Sequence, residues 1–108
     1  MSDKYILGGD DGHTPIPVDD VLEWARWFET ETARRVVARV EIGPFWVSTV
    51  FIGLNQSFLQ EYPPLLFETM VFQAPGGESR EMARCSTWDE AVEQHERIVA
   101  RLKRELSG

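Results

Sequence analysis

The central part of the chain has the hydrophobic pattern of four consecutive strands. Residues 35–42 alternate apolar and polar side chains, which is typical of a half-buried strand. Residues 45–52 and 65–73 have apolar side chains on both faces, as central strands do, and the more polar residues 80–85 suit an edge strand. Turn residues separate these segments. The pattern therefore predicts an antiparallel sheet with hairpin-length connections between consecutive strands, and it leaves the order of the strands within the sheet open.

An amphipathic helix is predicted on each side of these strands. The first has an N-cap at Asp19 or Asp20 and ends near residues 30–33. Its apolar arc consists of Val18, Val21, Leu22, Trp24, Ala25 and Phe28. The second begins with a capping box at residues 87–90 and keeps one narrow apolar face for about five turns. Helices with one apolar face bury it against another element, here the sheet.

These elements predict an α+β fold with the order (β)αββββα. We expect a four- to five-stranded antiparallel sheet with two helices packed on one face. The 108 residues form a single domain, because a chain of that length supports one hydrophobic core. Residues 1–17 are its loop-rich N-terminal segment, with a short strand at residues 5–7 and turn residues in 8–17.

The chain is acidic, with a net charge of −7, and most of that charge lies at its start. Residues 1–32 contain eight acidic and two basic residues. Such a surface repels a phosphate backbone, so we expect no direct nucleic-acid binding and favour a basic protein as partner.

Cysteine content and hydropathy predict a cytoplasmic protein. Cys85 is the single cysteine and has no partner for an internal disulfide. The N-terminal residues lack the basic region and the apolar run of a secretory signal. The longest strongly apolar run, residues 45–54, has the length of a strand and not of a membrane span. We therefore expect no membrane association.

One histidine breaks the apolar pattern of the second helix. His95 lies near the middle of its apolar arc, where a leucine is usual, and Glu68 falls in an apolar stripe of its strand. The pattern allows a Glu68–His95 pair between helix and sheet, with Ser48 or Thr69 nearby. In a functional interpretation, Glu68, His95 and Ser48 are catalytic candidates, with the imidazole as general base. We favour the alternative, a buried polar pair that fixes packing, because no nucleophile motif accompanies it.

Trp27 breaks the pattern of the first helix in the opposite direction. It falls nearly opposite the apolar arc, beside Glu23 and other polar residues. An exposed tryptophan among acidic residues is typical of an interface anchor, so Trp27 and Glu23 are interface candidates. An equally weighted alternative is that the N-terminal segment or the 54–63 loop covers Trp27.

The sheet face opposite the helices is a second candidate interface. If both helices cover one face, the other still presents apolar side chains such as Phe51 and Phe67, or their counterparts at the alternate positions. That area is too large to leave in water. Pairing with a second copy is the simplest solution, so we expect a homodimer, although a foreign partner would serve as well.

Cofactor motifs are weak. The turn at residues 10–13, with Asp19 and Asp20, offers oxygen ligands but lacks the spacing of a calcium loop. The glycine pairs at residues 8–9 and 76–77 have no phosphate-loop pattern around them. We therefore predict no metal site and no cofactor.

Three segments and one histidine form a recognisable set: residues 46–54, residues 64–72 with the block Phe-Glu-Thr-Met-Val-Phe, residues 86–91 with Thr-Trp-Asp-Glu-Ala, and His95. This set resembles a family of short, uncharacterised proteins of bacteriophages, prophages and bacteria, over roughly residues 40–100. The resemblance implies a phage or prophage setting and no activity. Together with the acidic charge of the chain, this setting makes a basic host or phage protein the expected foreign partner.

Two positions depart from the family pattern. Family members have Asp-His where this chain has Asn55-Gln56, and Tyr where it has Cys85. A metal or proton-transfer role of that Asp-His pair is therefore not expected here.

The sequence thus predicts a small acidic module that binds proteins and has no enzymatic activity, of an accessory phage or prophage type. The alternative is a small enzyme or ligand-binding domain with a Glu68/His95 pocket. A third and weaker hypothesis, based only on the charge at the front of the chain, is an acidic mimic of DNA.

Overall fold

The computed structural model describes residues 3–56 and 63–108 of the chain. Its elements are β1 Tyr5–Gly8, β2 Thr14–Pro17, α1 Val21–Thr30, a 3-10 turn Thr32–Arg35, β3 Val36–Ile42, β4 Phe45–Phe51, β5 Phe67–Gln73, β6 Glu78–Cys85 and α2 Trp88–Ser107. Among these residues no helix has the length and apolar character needed to cross a membrane.

The four strands β3 to β6 form one antiparallel sheet in chain order, which confirms the predicted α+β fold and its antiparallel sheet. The two central strands pair along their whole length, from Phe45 opposite Gln73 to Phe51 opposite Phe67. Side chains alternate between the two faces of a strand. In β4 the buried residues are therefore every second one, beginning at Phe45, and those between them point to the other face.

Helix α2 covers one face of this sheet. The predicted capping box is present: the Thr87 hydroxyl accepts from the backbone N–H of Glu90, whose carboxylate accepts from the backbone N–H of Thr87. Ile98 and Leu102 pack with Val47 and Val71 towards the C-terminal end of α2. Ala91 packs with a second cluster near its N-terminal end, which contains Leu7, Phe51, Leu66 and Phe67.

The N-terminal segment is more ordered than its turn residues predict. Strands β1 and β2 form a two-stranded antiparallel hairpin, with Ile6 opposite Ile16. The prediction of a loop across residues 8–17 was wrong at 14–17, because prolines fit an edge strand where their missing N–H is not needed. The Tyr5 N–H donates to the Gly53 carbonyl at 2.7 Å, which attaches the hairpin to the segment after β4.

Helix α1 is rotated relative to the predicted apolar arc. Leu22, assigned to the buried side, is 71 % exposed, whereas Trp27 and Phe28 are half-buried and contact Phe51. The Trp24 indole N–H also donates to the Gly53 carbonyl at 3.3 Å. The large rings of α1 thus cover the Phe51 end of the core. Leu22, in the first turn of the helix, does not pack against this core.

A bulge in β3 changes which valines face the core. The pairing with β4 shifts between Val36 and Ala38, so Val37 is an extra residue. Val37 packs against the buried cluster, and Val36 pairs with Val50 on the opposite face. The uninterrupted alternation predicted for residues 35–42 is therefore wrong at this end of the strand.

We predict that Gly53→Ala strongly destabilises the protein. Gly53 has a φ of +77°, and an added Cβ would overlap the ring of Phe28. Backbone strain and overpacking together should lower the free energy of unfolding by about 3 to 5 kcal/mol. The control is Gly76→Ala, where φ is +91° and, apart from the adjacent residues, no atom of the described residues lies within 4 Å of the added Cβ. Urea denaturation should show a loss there of only about 1 to 2 kcal/mol, and equal losses would contradict the prediction.

Candidate functional site

Glu68 and His95 lie on opposite faces of the sheet. His95 projects from α2 onto the covered face, where it contacts Thr49. Glu68 occupies the other face, where its carboxylate accepts from Nε of Arg84 at 3.1 Å. Ser48 is also on that other face and accepts from Nε of Arg39. The predicted contact between Glu68 and His95 is therefore wrong, because the strand alternation that buries Thr69 directs Glu68 away from α2.

The partners of His95 are a buried chain of polar side chains. Oγ1 of Thr49 lies 2.8 Å from His95 Nδ1 and 2.7 Å from Oγ1 of Thr69. Nε2 of Gln94 donates to Thr69 Oγ1 at 2.9 Å and to the Ala83 carbonyl at 3.3 Å. The four side chains that form this chain, named here the core network, are Thr49, Thr69, Gln94 and His95, and all four are buried.

The core network contains two hydroxyl groups, each with one proton to donate and lone pairs to accept from its neighbours. Gln94 donates to Thr69. One arrangement that bonds both hydroxyl protons has Thr69 donating to Thr49 and Thr49 donating to Nδ1 of His95. In that arrangement His95 is a neutral imidazole with its proton on Nε2. Burial of the ring lowers the pKa of His95, in agreement with a neutral side chain.

This arrangement holds His95 inside the core. Its Nδ1 is bound to Thr49, and the residue is only 7 % exposed. General-base catalysis needs a nitrogen within hydrogen-bond reach of a substrate proton, and neither Glu68 nor Ser48 lies on the same face. Cys85 provides no alternative nucleophile, because burial raises the pKa of its thiol to about 11.

We predict that His95 makes stability fall in mild acid. The unfolded chain binds a proton at the ordinary histidine pKa of about 6.5, and the folded chain does so only at lower pH. Below about pH 6.5 the unfolded state therefore binds more protons, and the free energy of unfolding decreases as the pH falls.

The measurement is urea denaturation at pH 7 and pH 5 of the wild type, His95→Gln and His13→Gln. The loss between the two pH values should be smaller in His95→Gln than in the wild type. His13→Gln retains His95 and should keep the wild-type loss. An unchanged loss in His95→Gln would contradict the lowered pKa of His95 in the folded chain.

The face of the sheet opposite α2, named here the open face, has three rows of paired residues. The rows are Glu41, Trp46, Phe72 and Ser79; Arg39, Ser48, Met70 and Met82; and Val36, Val50, Glu68 and Arg84. Half of these side chains are apolar, and two acidic residues balance two basic ones. No element among the described residues packs over this face as α2 packs over the other.

Two aromatic rings form the most prominent apolar feature of the open face. Trp46 and Phe72 are opposite one another on β4 and β5, and their ring centroids are 5.1 Å apart at an interplanar angle of 30°. Trp46 is 39 % exposed and Met82 on β6 is 49 % exposed. Large apolar side chains exposed together on one surface indicate a contact site.

A cavity of about 320 Å³ opens on the β3 side of the open face. Its polar lining consists of Thr32, Arg35, Arg39, Ser48 and Glu68, and its apolar lining of Val36, Val50, Met70 and Phe72. The guanidinium carbon of Arg35 lies 4.5 Å from the centroid of the Phe28 ring. Nε of Arg35 is buried and has no hydrogen-bond partner within residues 3–56 and 63–108.

The predicted interface residues have different locations. Phe51 and Phe67 are fully buried on the covered face, so their assignment to an interface is wrong. Their neighbours at the alternate positions form the open face instead. Trp27 is also not an exposed anchor, because its ring packs against Phe28 and Phe51. Glu23 is exposed in the first turn of α1. Most of the 54–63 loop lies outside the described residues.

We predict that Trp27→Ala lowers stability, because Trp27 belongs to the aromatic cluster around Phe51. Removing this half-buried ring should reduce the free energy of unfolding by about 2 to 3 kcal/mol. Leu22→Ala, on the exposed side of the same helix, is the matched control and should cost less than about 0.5 kcal/mol. Thermal denaturation compares the two, and a larger loss in Leu22→Ala would contradict the observed orientation of α1.

The turn at residues 10–13 shows no ligand geometry. Asp11 accepts from the backbone N–H of His13 at 2.8 Å, and the His13 ring stacks on Trp88 at 3.6 Å between centroids. Across residues 3–56 and 63–108, no group of three or more His, Cys, Asp or Glu side chains is placed to hold a metal ion.

Sequence reasoning missed Trp46, Phe72 and Arg35. Strand periodicity identified two sets of alternating residues in β4 and β5 but could not show which set α2 covers. Arg35 had no sequence signal, because its position over Phe28 depends on how the 3-10 turn joins α1 to β3.

Comparison of the chain with protein-family models, curated proteins and solved structures finds no match.

Proposed function

We propose that the protein is a binding module without enzymatic activity, that the open face is its protein-binding surface, and that a second copy is its first partner. The observation that supports this proposal is the sheet face with exposed Trp46 and Met82, half-buried Phe72 and no covering element among the described residues. Tryptophan and other aromatic residues at the centre of a contact surface contribute a large share of binding energy.

Charge supports a homodimer through this face. The whole chain has a net charge of −7, and like-charged copies repel one another. On the open face, the charges of Glu41 and Glu68 are balanced by those of Arg39 and Arg84. Two copies can therefore meet through this face without repulsion between like net charges. A two-fold interface uses the same surface on both copies, which makes a second copy the simplest partner for an uncovered apolar face.

The alternative of a small enzyme with a Glu68/His95 pocket has no support in the geometry. The two side chains are separated by the sheet, and His95 is held in the core network. The basic host or phage partner and the phage setting stay predictions. The acidic residues among positions 1–32 lie outside the open face and are the surface that such a basic partner would contact.

We predict that Trp46→Ala weakens self-association at least tenfold, because it removes the largest exposed ring of the open face. Light scattering on a sizing column, over a wide concentration range, gives the mass in solution. The wild type should approach twice the 12.4 kDa of one chain. Leu22→Ala removes an exposed apolar side chain of α1 and should leave the association unchanged.

Two results would contradict this proposal. One is a wild-type mass of 12.4 kDa at every concentration. The other is equal association of the wild type and Trp46→Ala, which would locate the contact elsewhere on the molecule.

A further inference from the structure

We infer that the cavity on the β3 side of the open face is a binding site for an organic carboxylate with an apolar body. This inference goes beyond the proposed function and does not rest on it. Seven of the nine residues that line the cavity also belong to the open face, so a ligand in the cavity and a second copy on that face would compete. The combination of unpaired guanidinium groups and an apolar floor identifies this class of ligand.

The cationic part of the site is formed by Arg35 and Arg39. Neither arginine has an ion-pair partner among the described residues. The acid–base pairs found there are Lys4–Asp3, His13–Asp11, Arg34–Glu31, Arg84–Glu68 and Arg101–Glu81. Stacking on Phe28 holds the Arg35 guanidinium in position, and Nε of Arg39 donates to Ser48 at 3.3 Å. A preorganised guanidinium without a counter-charge binds carboxylates through charge-assisted hydrogen bonds.

Glu68 does not neutralise these two arginines. Its carboxylate is bound by Arg84, on the far side of β5 from β3. Arg35, Arg39 and Glu68 together give the cavity lining one net positive charge, although the chain as a whole is strongly acidic. A bound anion would supply the missing counter-charge.

The apolar floor selects against a fully hydrated anion such as phosphate. Val36, Val50, Met70 and Phe72 line the cavity together with the arginines. Its volume of about 320 Å³ is near the lower end of the range for ligand pockets. A small carboxylate with an aliphatic or aromatic body would cover this floor and place its charge at Arg35 and Arg39.

The test is isothermal titration calorimetry of the full chain with three probes. The probes are 3-phenylpropionate, the neutral 3-phenylpropanol with the same body, and inorganic phosphate. We expect saturable binding of the carboxylate, with affinity at least tenfold higher than that of the alcohol or of phosphate. No saturable binding of the carboxylate, or equal affinity for the alcohol or phosphate, would overturn the inference.

Three variants locate the binding. Arg35→Met and Arg39→Met should each weaken carboxylate binding at least tenfold. Arg34→Met is the matched control, because Arg34 is the exposed neighbour of Arg35, pairs with Glu31 and does not line the cavity. Circular dichroism verifies folding, and exposed Arg39 keeps the test valid if Arg35→Met does not fold. Equal weakening by Arg34→Met and Arg39→Met would also overturn the inference.

Trp46→Ala separates this site from the self-association of the open face. Trp46 does not line the cavity, so this variant should bind the carboxylate even where its dimer is weakened. A monomeric wild type that binds the carboxylate would contradict the homodimer alone. A dimer whose Trp46→Ala variant binds no carboxylate would overturn the cavity inference alone.

Discussion

Helix α2 covers one face of the four-stranded sheet, and the rest of the structure depends on this contact. Because successive side chains of a strand point to opposite faces, the position of α2 decides which residues are buried and which are exposed. In β4 and β5, the residues that face α2 build the core, among them Phe51 and Phe67. The residues between them, among them Trp46 and Phe72, must face away from it. The core and the open face are therefore two consequences of one placement of α2.

The core network shows how this interface accommodates polar side chains. Thr49 on β4 and Thr69 on β5 are fully buried, and Gln94 and His95 on α2 complete their hydrogen bonds. A buried polar group is tolerated where its hydrogen-bond partners are present. The network links α2 to the central strands at defined positions. His95 is therefore hydrogen-bonded inside the core. The open face, on the other side of the sheet, is the surface available for contacts.

Much of the fold could be predicted from local signals. The capping box at Thr87 and the apolar periodicity that follows define α2, and the apolar runs with their turns define the four strands. The predictions that were wrong depend on what each element packs against. β2 forms because β1 lies beside it, and α1 rotates because only the Phe51 end of the core is available to it. The bulge at Val37 moves Val36 to the open face.

The sequence by itself determined the class of fold, the succession of elements along the chain and the unusual position of His95, because hydrophobic period, turn residues and capping residues act over short stretches of chain. The order of the strands within the sheet was decided by the tertiary structure. Only the tertiary structure decided which alternate residues α2 covers, which separated Glu68 from His95 and exposed Trp46. It also decided that Arg35 lies over Phe28 at the edge of a cavity. These features depend on contacts between residues that are distant in sequence. The sequence of a single strand shows two alternating sets of side chains but does not show which set a helix will cover.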